Sequence, residues 1–196
     1  KSQPDLWKGK KILCVATMGL FSGDGAGCSA RLLKKYGAEI VGGFHIRMPD
    51  SVCDVKLLKK SFQENREIIR KADRKIEKCA AEIRKGRYPK NGLHLYNRIA
   101  GLLCQRLWYY SKTKSYSDQL KISNACTGCE LCTRLCPADN LTLKNGKAAA
   151  GKHCTMCYRC ISSCPARAIT LLGHTVIEQC RYDKYIQNEK KREPLK

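Results

Sequence analysis

The chain has 196 residues, 43% of them hydrophobic, which is apolar material for one medium domain or two small ones and too much for wholesale disorder. No run of about eighteen apolar residues occurs, which excludes a membrane-spanning helix. Lysine and arginine number 38 against 17 acids, a formal charge of +21 that favours anionic partners: nucleic acid, a lipid surface, an acidic protein or bound anionic cofactors.

The chain opens on Lys1 without an initiator Met or a leader, which predicts either that it was processed or that it lacks the N-terminal part of a larger protein. Ile12 to Ala16 reads as a buried strand, and Thr17 to Gly27 as a glycine-rich loop. Ala30, Leu32, Leu33 and Tyr36 predict a helix closed by Gly37, followed by a second strand over 39–46. Strand, helix, strand in that order implies a parallel pair. Two strands alone make no stable α/β domain, a second sign of missing sequence. Gly25-Ala26-Gly27-Cys28-Ser29-Ala30 fits G-x-G-x-x-A, but its first glycine lies well beyond the strand and Arg47 stands where the dinucleotide fingerprint needs an acid, so this pattern is weak.

Leu58, Phe62, Ile69, Ala72, Ile76, Ala80 and Ile83 recur at helical spacing and predict one amphipathic helix over 54–85, stopped by Gly86 and Pro89. Its opposite face is basic, from Lys59 and Lys60 through Arg70, Lys71, Arg74, Lys75 and Lys78 to Lys85. The plain reading is a solvated face with Glu64, Glu67, Glu77 and Glu82 in intrahelical pairs; the sharper one is a docking surface for an acidic partner. A second helix is expected over 93–111, with Leu95, Tyr96, Ile99, Leu102, Leu103, Leu107 and Tyr110 facing inward.

Cysteine is one residue in fourteen, and eight of the 14 fall in two runs: Cys126, Cys129, Cys132 and Cys136, then Cys154, Cys157, Cys160 and Cys164. Both runs are C-x2-C-x2-C-x3-C-P, and the likeness continues past the cysteines, with Leu141 matched to Ile169 and Leu143 to Leu171, so the region is an internal duplication. Three thiolates at this spacing line a tight loop whose amides point at an anionic core, while the fourth cysteine, beside a proline, leaves the loop for the start of a helix. Disulfides pair three neighbouring sulfurs poorly, and structural zinc takes two separated C-x2-C pairs; the run is the ligand pattern of bacterial [4Fe–4S] clusters, in which the fourth cysteine serves the other cluster. On that pattern one cluster takes Cys126, Cys129, Cys132 and Cys164, and the other Cys154, Cys157, Cys160 and Cys136. Residues 121–175 therefore resemble a two-cluster bacterial-type ferredoxin, with Asn145-Gly146 as the hairpin turn between halves and Ala125 and Ile161 as apolar screens. The resemblance implies one-electron transfer with no open iron for substrate. Loaded with two oxidised clusters the chain would still carry about +17, so its redox partner is expected to be acidic.

The segment from Lys10 to Pro49, with Ala16-Thr17-Met18-Gly19, Ser22-Gly23, Tyr36-Gly37-Ala38-Glu39 and Met48-Pro49, resembles the C-terminal half of a flavodoxin-like domain. That resemblance implies Thr17, Met18, Gly19 and Ser22 at the flavin ring of FMN, and fusions of such a domain to a two-cluster ferredoxin form a known family that the order here fits. The family's Ser/Thr-rich phosphate-binding loop is absent from these residues, so FMN is expected only in a complete parent, which would be a flavin-dependent oxidoreductase.

Cys14, Cys28, Cys53, Cys79, Cys104 and Cys180 lie outside the runs. They are expected to be small buried hydrophobes, with Cys53 beside Asp54 the one to watch as reactive; unpaired thiols suit a reducing, cytoplasmic setting and an anaerobe. His45 reads as a satisfied packing residue, His153 as a neighbour that tunes a cluster by hydrogen bonding, and Trp108-Tyr109-Tyr110 as packing aromatics. The expected fold class is α/β plus α+β: a partial flavodoxin-like parallel sheet over 1–50, a basic helical bridge over 51–120, a pseudo-symmetric two-cluster ferredoxin domain over 121–175, and a frayed charged tail over 176–196. The expected function is that of an iron–sulfur electron carrier. The alternative is a binding module for nucleic acid or an acidic protein, with structural metal sites.

Overall fold

The computed structural model describes residues 4–52, 56–107, 116, 119–171, 173–176 and 178–186. The chain divides into two compact units, one formed by Lys1–Pro49 with Glu67–Tyr110 and the other by Asp50–Arg66 with Ser111–Lys196.

In the first unit, β1 (Lys11–Met18) and β2 (Glu39–Arg47) run parallel, joined through α1 (Gly25–Lys35). Gly37, at φ +81, ends the helical run as its position predicts. Alternation along the strands sends Cys14 to one face, where it packs with Ala26 and Ala30 of α1, and sends Phe44 and Ile46 to the other, where they pack with Ala72 of α2 (Phe62–Arg84). Beyond β2, the Gly43 N–H donates to the Pro89 carbonyl at 2.8 Å and the Gly92 N–H to the Gly43 carbonyl at 2.8 Å, so the segment after α2 hydrogen-bonds to that edge.

The helix expected over 54–85 starts later. Lys56–Leu58 is a 3-10 turn, and α2 begins only after Ser61, whose hydroxyl accepts the Glu64 N–H while the Glu64 carboxylate accepts the Ser61 N–H at 2.8 Å. This reciprocal pair is a capping box, and it ends the backward extension of the helix that apolar spacing alone suggested. The helix expected over 93–111 is also different. It is α3 (Leu95–Ala100) followed by a π-helical turn, Gly101–Arg106, and the residues expected to face inward are exposed, Leu95 by 67% and Leu107 by 69%. The buried face carries Asn97 and Gly101 instead, because a Cβ at Gly101 would stand 2.7 Å from the Asp24 backbone nitrogen. Tyr110 lies outside the described residues.

The second unit is built on a repeat visible in its backbone. The hairpin β4 (Leu141–Lys144) and β5 (Lys147–Ala150) turns through Asn145 and Gly146, both at positive φ, as the Asn-Gly pair requires. β3 (Lys121–Ile122) pairs antiparallel with β6 (Ile169–Thr170), so the two ends of the repeat close on each other. Two short helices, α4 (Leu131–Leu135) and α5 (Arg159–Ser163), occupy equivalent places. Left-handed residues recur in register: Gly128 with Met156, Glu130 with Tyr158, and Asp139 with Arg167. The core is Leu141, Ile161, Ile169, Leu171 and Val176.

The segment after 176 is not frayed where it is described. Val176 is buried, and α6 (Tyr182–Ile186) buries Tyr185 against Phe62, with the Asn65 side-chain amide donating to the Tyr185 hydroxyl at 3.2 Å. Residues 187–196 lie outside the described part. Among the described residues no helix is long and apolar enough to cross a membrane.

Candidate iron–sulfur centres

The eight run cysteines line two cavities. Cys126, Cys129 and Cys132 line the first together with Cys164, and Cys154, Cys157 and Cys160 line the second together with Cys136. Each cavity thus takes three cysteines from one run and the last cysteine of the other. The crossing comes from local geometry: α4 and α5 carry the third cysteines, and the fourth sit just past the helix ends in extended conformation, Cys136 at ψ 115° and Cys164 at ψ 116°. The fourth cysteine was expected at a helix start. It follows the helix end, because the residue before a proline is driven out of the helical region and the chain there turns toward the opposite loop.

Backbone amides converge on the sulfurs. N–H groups of Ala148, Asn140, Met156 and Ala168 donate to Cys126, Cys136, Cys154 and Cys164 at 3.4, 3.2, 3.4 and 3.4 Å. Such donors favour thiolate: the Ala148 and Gly128 amides hold the Cys126 thiol below its ordinary pKa. Burial acts oppositely on the third cysteines. Cys132 is raised by burial beside Cys126 and Cys164, and Cys160 is pushed up to about 12 by burial beside Cys157, Cys154 and Cys136. Bare protein therefore holds protonated thiols at these two positions near neutrality, and metal loading must release those protons.

The donor set fits iron–sulfur clusters. Among the described residues no three His, Cys, Asp or Glu side chains are grouped closely enough for a single metal ion. The sulfurs instead border cavities, each walled by apolar atoms: Leu131, Pro165 and Ile169 at the first, and Leu120, Met156 and Leu171 at the second. Ile161 lines the second cavity at 1% exposed, as a screen would, whereas Ala125 is exposed and borders neither cavity. Asn140 also lines the second cavity, and its side-chain nitrogen is buried without a hydrogen-bond partner.

Two residues were not singled out in the sequence. Asn140 follows Cys136 by four positions, and nothing in its neighbourhood announces it. Gln179 donates from its side-chain amide to the carbonyls of Ile161 at 3.0 Å and Cys164 at 2.6 Å, tying the end of α5 to the C-terminal segment. No local pattern finds Gln179, because its partners are 15 and 18 residues away.

The flavin candidates are placed less tightly. Thr17 and Met18 are the last residues of β1, Gly19 and Ser22 lie in the loop after it, and the Ser22 hydroxyl is buried without a partner. The glycine-rich stretch is occupied from within: the Asp24 carboxylate, at the N-terminus of α1, pairs with Arg31, and a Cβ at Gly27 would stand 2.2 Å from it. An acid where a pyrophosphate would dock argues against the dinucleotide reading. His45 is buried and accepts the Ala26 N–H, as a packing histidine should. His153 is exposed and donates its backbone N–H to the Asn140 side-chain oxygen at 2.6 Å. Among the described cysteines outside the runs, Cys14 is buried, Cys28 is exposed and Cys79 and Cys180 are half-buried, so the expectation of buried thiols holds for one of these four. Cys53, the Cys104 side chain and Trp108-Tyr109-Tyr110 lie outside the described residues.

In comparison with protein families, residues 119–165 match the 4Fe-4S dicluster domain. That part of the chain is a ferredoxin-like iron–sulfur domain with an electron-transfer role. No curated protein and no solved structure matches the chain.

Proposed function

We propose that the chain is a one-electron carrier holding two [4Fe–4S] clusters, one on Cys126, Cys129, Cys132 and Cys164 and one on Cys154, Cys157, Cys160 and Cys136. The observation that carries this reading is the crossed lining of the two cavities. When bound, each cluster supplies a site that takes up and gives back a single electron. The protein's part is to hold it. Backbone N–H groups aimed at the sulfurs offset the charge that reduction adds, and the apolar walls limit water. Four thiol ligands per cluster leave no iron open to substrate, so bond chemistry belongs elsewhere.

The partner in this reading is an acidic redox protein, supported by the surplus of 38 basic over 17 acidic residues. We assign residues 10–49 to the C-terminal half of a flavodoxin-like sheet, an assignment supported by the parallel β1–β2 pair with α1 on one face and α2 on the other. In that assignment Thr17, Met18, Gly19 and Ser22 border a flavin site, and FMN would also need a phosphate-binding loop that these residues do not supply. The organisation into 1–50, 51–120, 121–175 and 176–196 belongs to the same proposal, as does a reducing, cytoplasmic setting.

The test is anaerobic determination of iron, acid-labile sulfide and zinc per chain, with EPR after dithionite reduction. About eight iron and eight sulfide, with the coupled spectrum of two reduced clusters, is the expected result. Stoichiometric zinc without sulfide would overturn it.

A further inference from the structure

We propose that the Asn140 side-chain amide is a hydrogen-bond donor to the cluster held by Cys136, Cys154, Cys157 and Cys160, and that it makes this cluster electronically unlike its twin. The inference rests on the two-cluster reading and adds an asymmetry to it. Asn140 is 3% exposed, and each of its other polar groups is engaged. Its backbone N–H donates to Cys136 Sγ at 3.2 Å, its carbonyl accepts the Gly151 N–H at 2.7 Å, and its Oδ1 accepts the His153 N–H at 2.6 Å. The last bond fixes which end of the amide is oxygen, because a backbone N–H can only donate. Nδ2 is then the end left over, buried and without a partner, on a residue that lines the second cavity.

A buried amide donor without an acceptor is costly, and native structures rarely keep one. The cavity it borders is walled by four cysteine sulfurs, so the acceptor that completes it is the anionic sulfur of a bound cluster. The other half of the repeat lacks this device. The equivalent position is Ala168, whose backbone N–H reaches Cys164 Sγ at 3.4 Å just as that of Asn140 reaches Cys136, but alanine has no amide to add. A donor aimed at cluster sulfur stabilises the reduced, more negative state more than the oxidised one, and so raises the potential of the cluster it touches. Asn140 is thus a positioning and tuning residue that the duplicated sequence places on one side only.

The experiment is a redox titration of anaerobically loaded protein, followed by EPR and voltammetry, on the native chain, Asn140→Ala and Asn140→Asp. Asn140→Asp retains the acceptor for the His153 N–H while removing the donor, so it decides the matter if Asn140→Ala loads poorly. One potential is expected to fall in both variants, further with Asp because of its charge, while the other stays in place and iron and sulfide per chain are unchanged. Ala168→Asn should raise the potential that Asn140→Ala leaves alone. With full iron, potentials that stay put or shift together overturn the donor role and leave the two-cluster reading standing. One cluster per chain, or zinc without sulfide, in the native protein overturns both.

Discussion

Cys136 and Cys160 belong to different runs, yet they line the same cavity, whereas Cys132 and Cys136 are neighbours on one run and line different cavities. Substitution therefore has an unusual additivity. Cys136→Ser with Cys160→Ser should lose little more iron than either alone, because both strike one cluster; Cys136→Ser with Cys132→Ser should lose both clusters. Iron per chain for the four variants checks this, and additive loss in the first pair would break the crossed assignment. The cysteine spacing made these two groupings readable before any coordinates. Asn140 was unreadable because its importance lies in a missing acceptor, which is a property of packing rather than of pattern. His45 makes a second prediction at this scale. Burial holds its pKa below the ordinary value, the Lys75 ammonium adds to that, and Asp24 opposes it. The imidazole is neutral in the fold, and the unfolded chain takes up a proton first as pH falls below about 6.5. Its contribution is therefore complete above that pH and is lost as pH falls toward the lower folded value. Amide exchange in β1 and β2, corrected for intrinsic rates, should show weaker protection at pH 5.5 than at pH 7.5, and His45→Gln should flatten the difference.

Among the elements, α2 shows how much a short polar motif can weigh against a long apolar one. Helical spacing from Leu58 to Ile83 was correct in period, but Ser61 and Glu64 decide where the helix begins. The S-x-x-E signature was present to be read. Ser61→Ala should cost about 1 kcal/mol and speed amide exchange in the first turn of α2 while leaving its far end unchanged. In α3 the same periodic logic failed on direction, since Gly101 and Asn97 face the protein and the leucines do not. Spacing identifies two faces of a helix; close approach at a glycine decided which was buried. Gly128 is a third case, where the loop of the first run touches the hairpin. At φ +71, and with a Cβ that would stand 2.3 Å from the Gly146 carbonyl, it admits no side chain without movement. Gly128→Ala should displace the amide that supports Cys126 and lower iron content on the first cavity, read as a partial loss of the reduced-cluster EPR signal.

For the whole molecule, charge and duplication were the legible features. With a formal charge of +21, association with the acidic acceptor proposed above would be steered over long range. Electron transfer to such an acceptor, measured by stopped flow, should slow steadily as ionic strength rises from 20 to 300 mM (about a fourfold shortening of the screening length); a salt-independent rate would remove the electrostatic part of the docking proposal. Division into two units was less legible, because residues 50–66 join the cluster-bearing unit through contacts such as Phe62 with Tyr185, across 123 positions of sequence. The crossed cavities carry a last implication, about ancestry. A single copy of the repeated segment supplies three sulfurs to one hollow and sends the fourth away, so it cannot complete a centre by itself. A precursor with one copy would have had to pair with an identical chain about a twofold axis, each lending its final cysteine to the other. With two copies joined end to end that exchange becomes intramolecular, and positions 140 and 168 can differ.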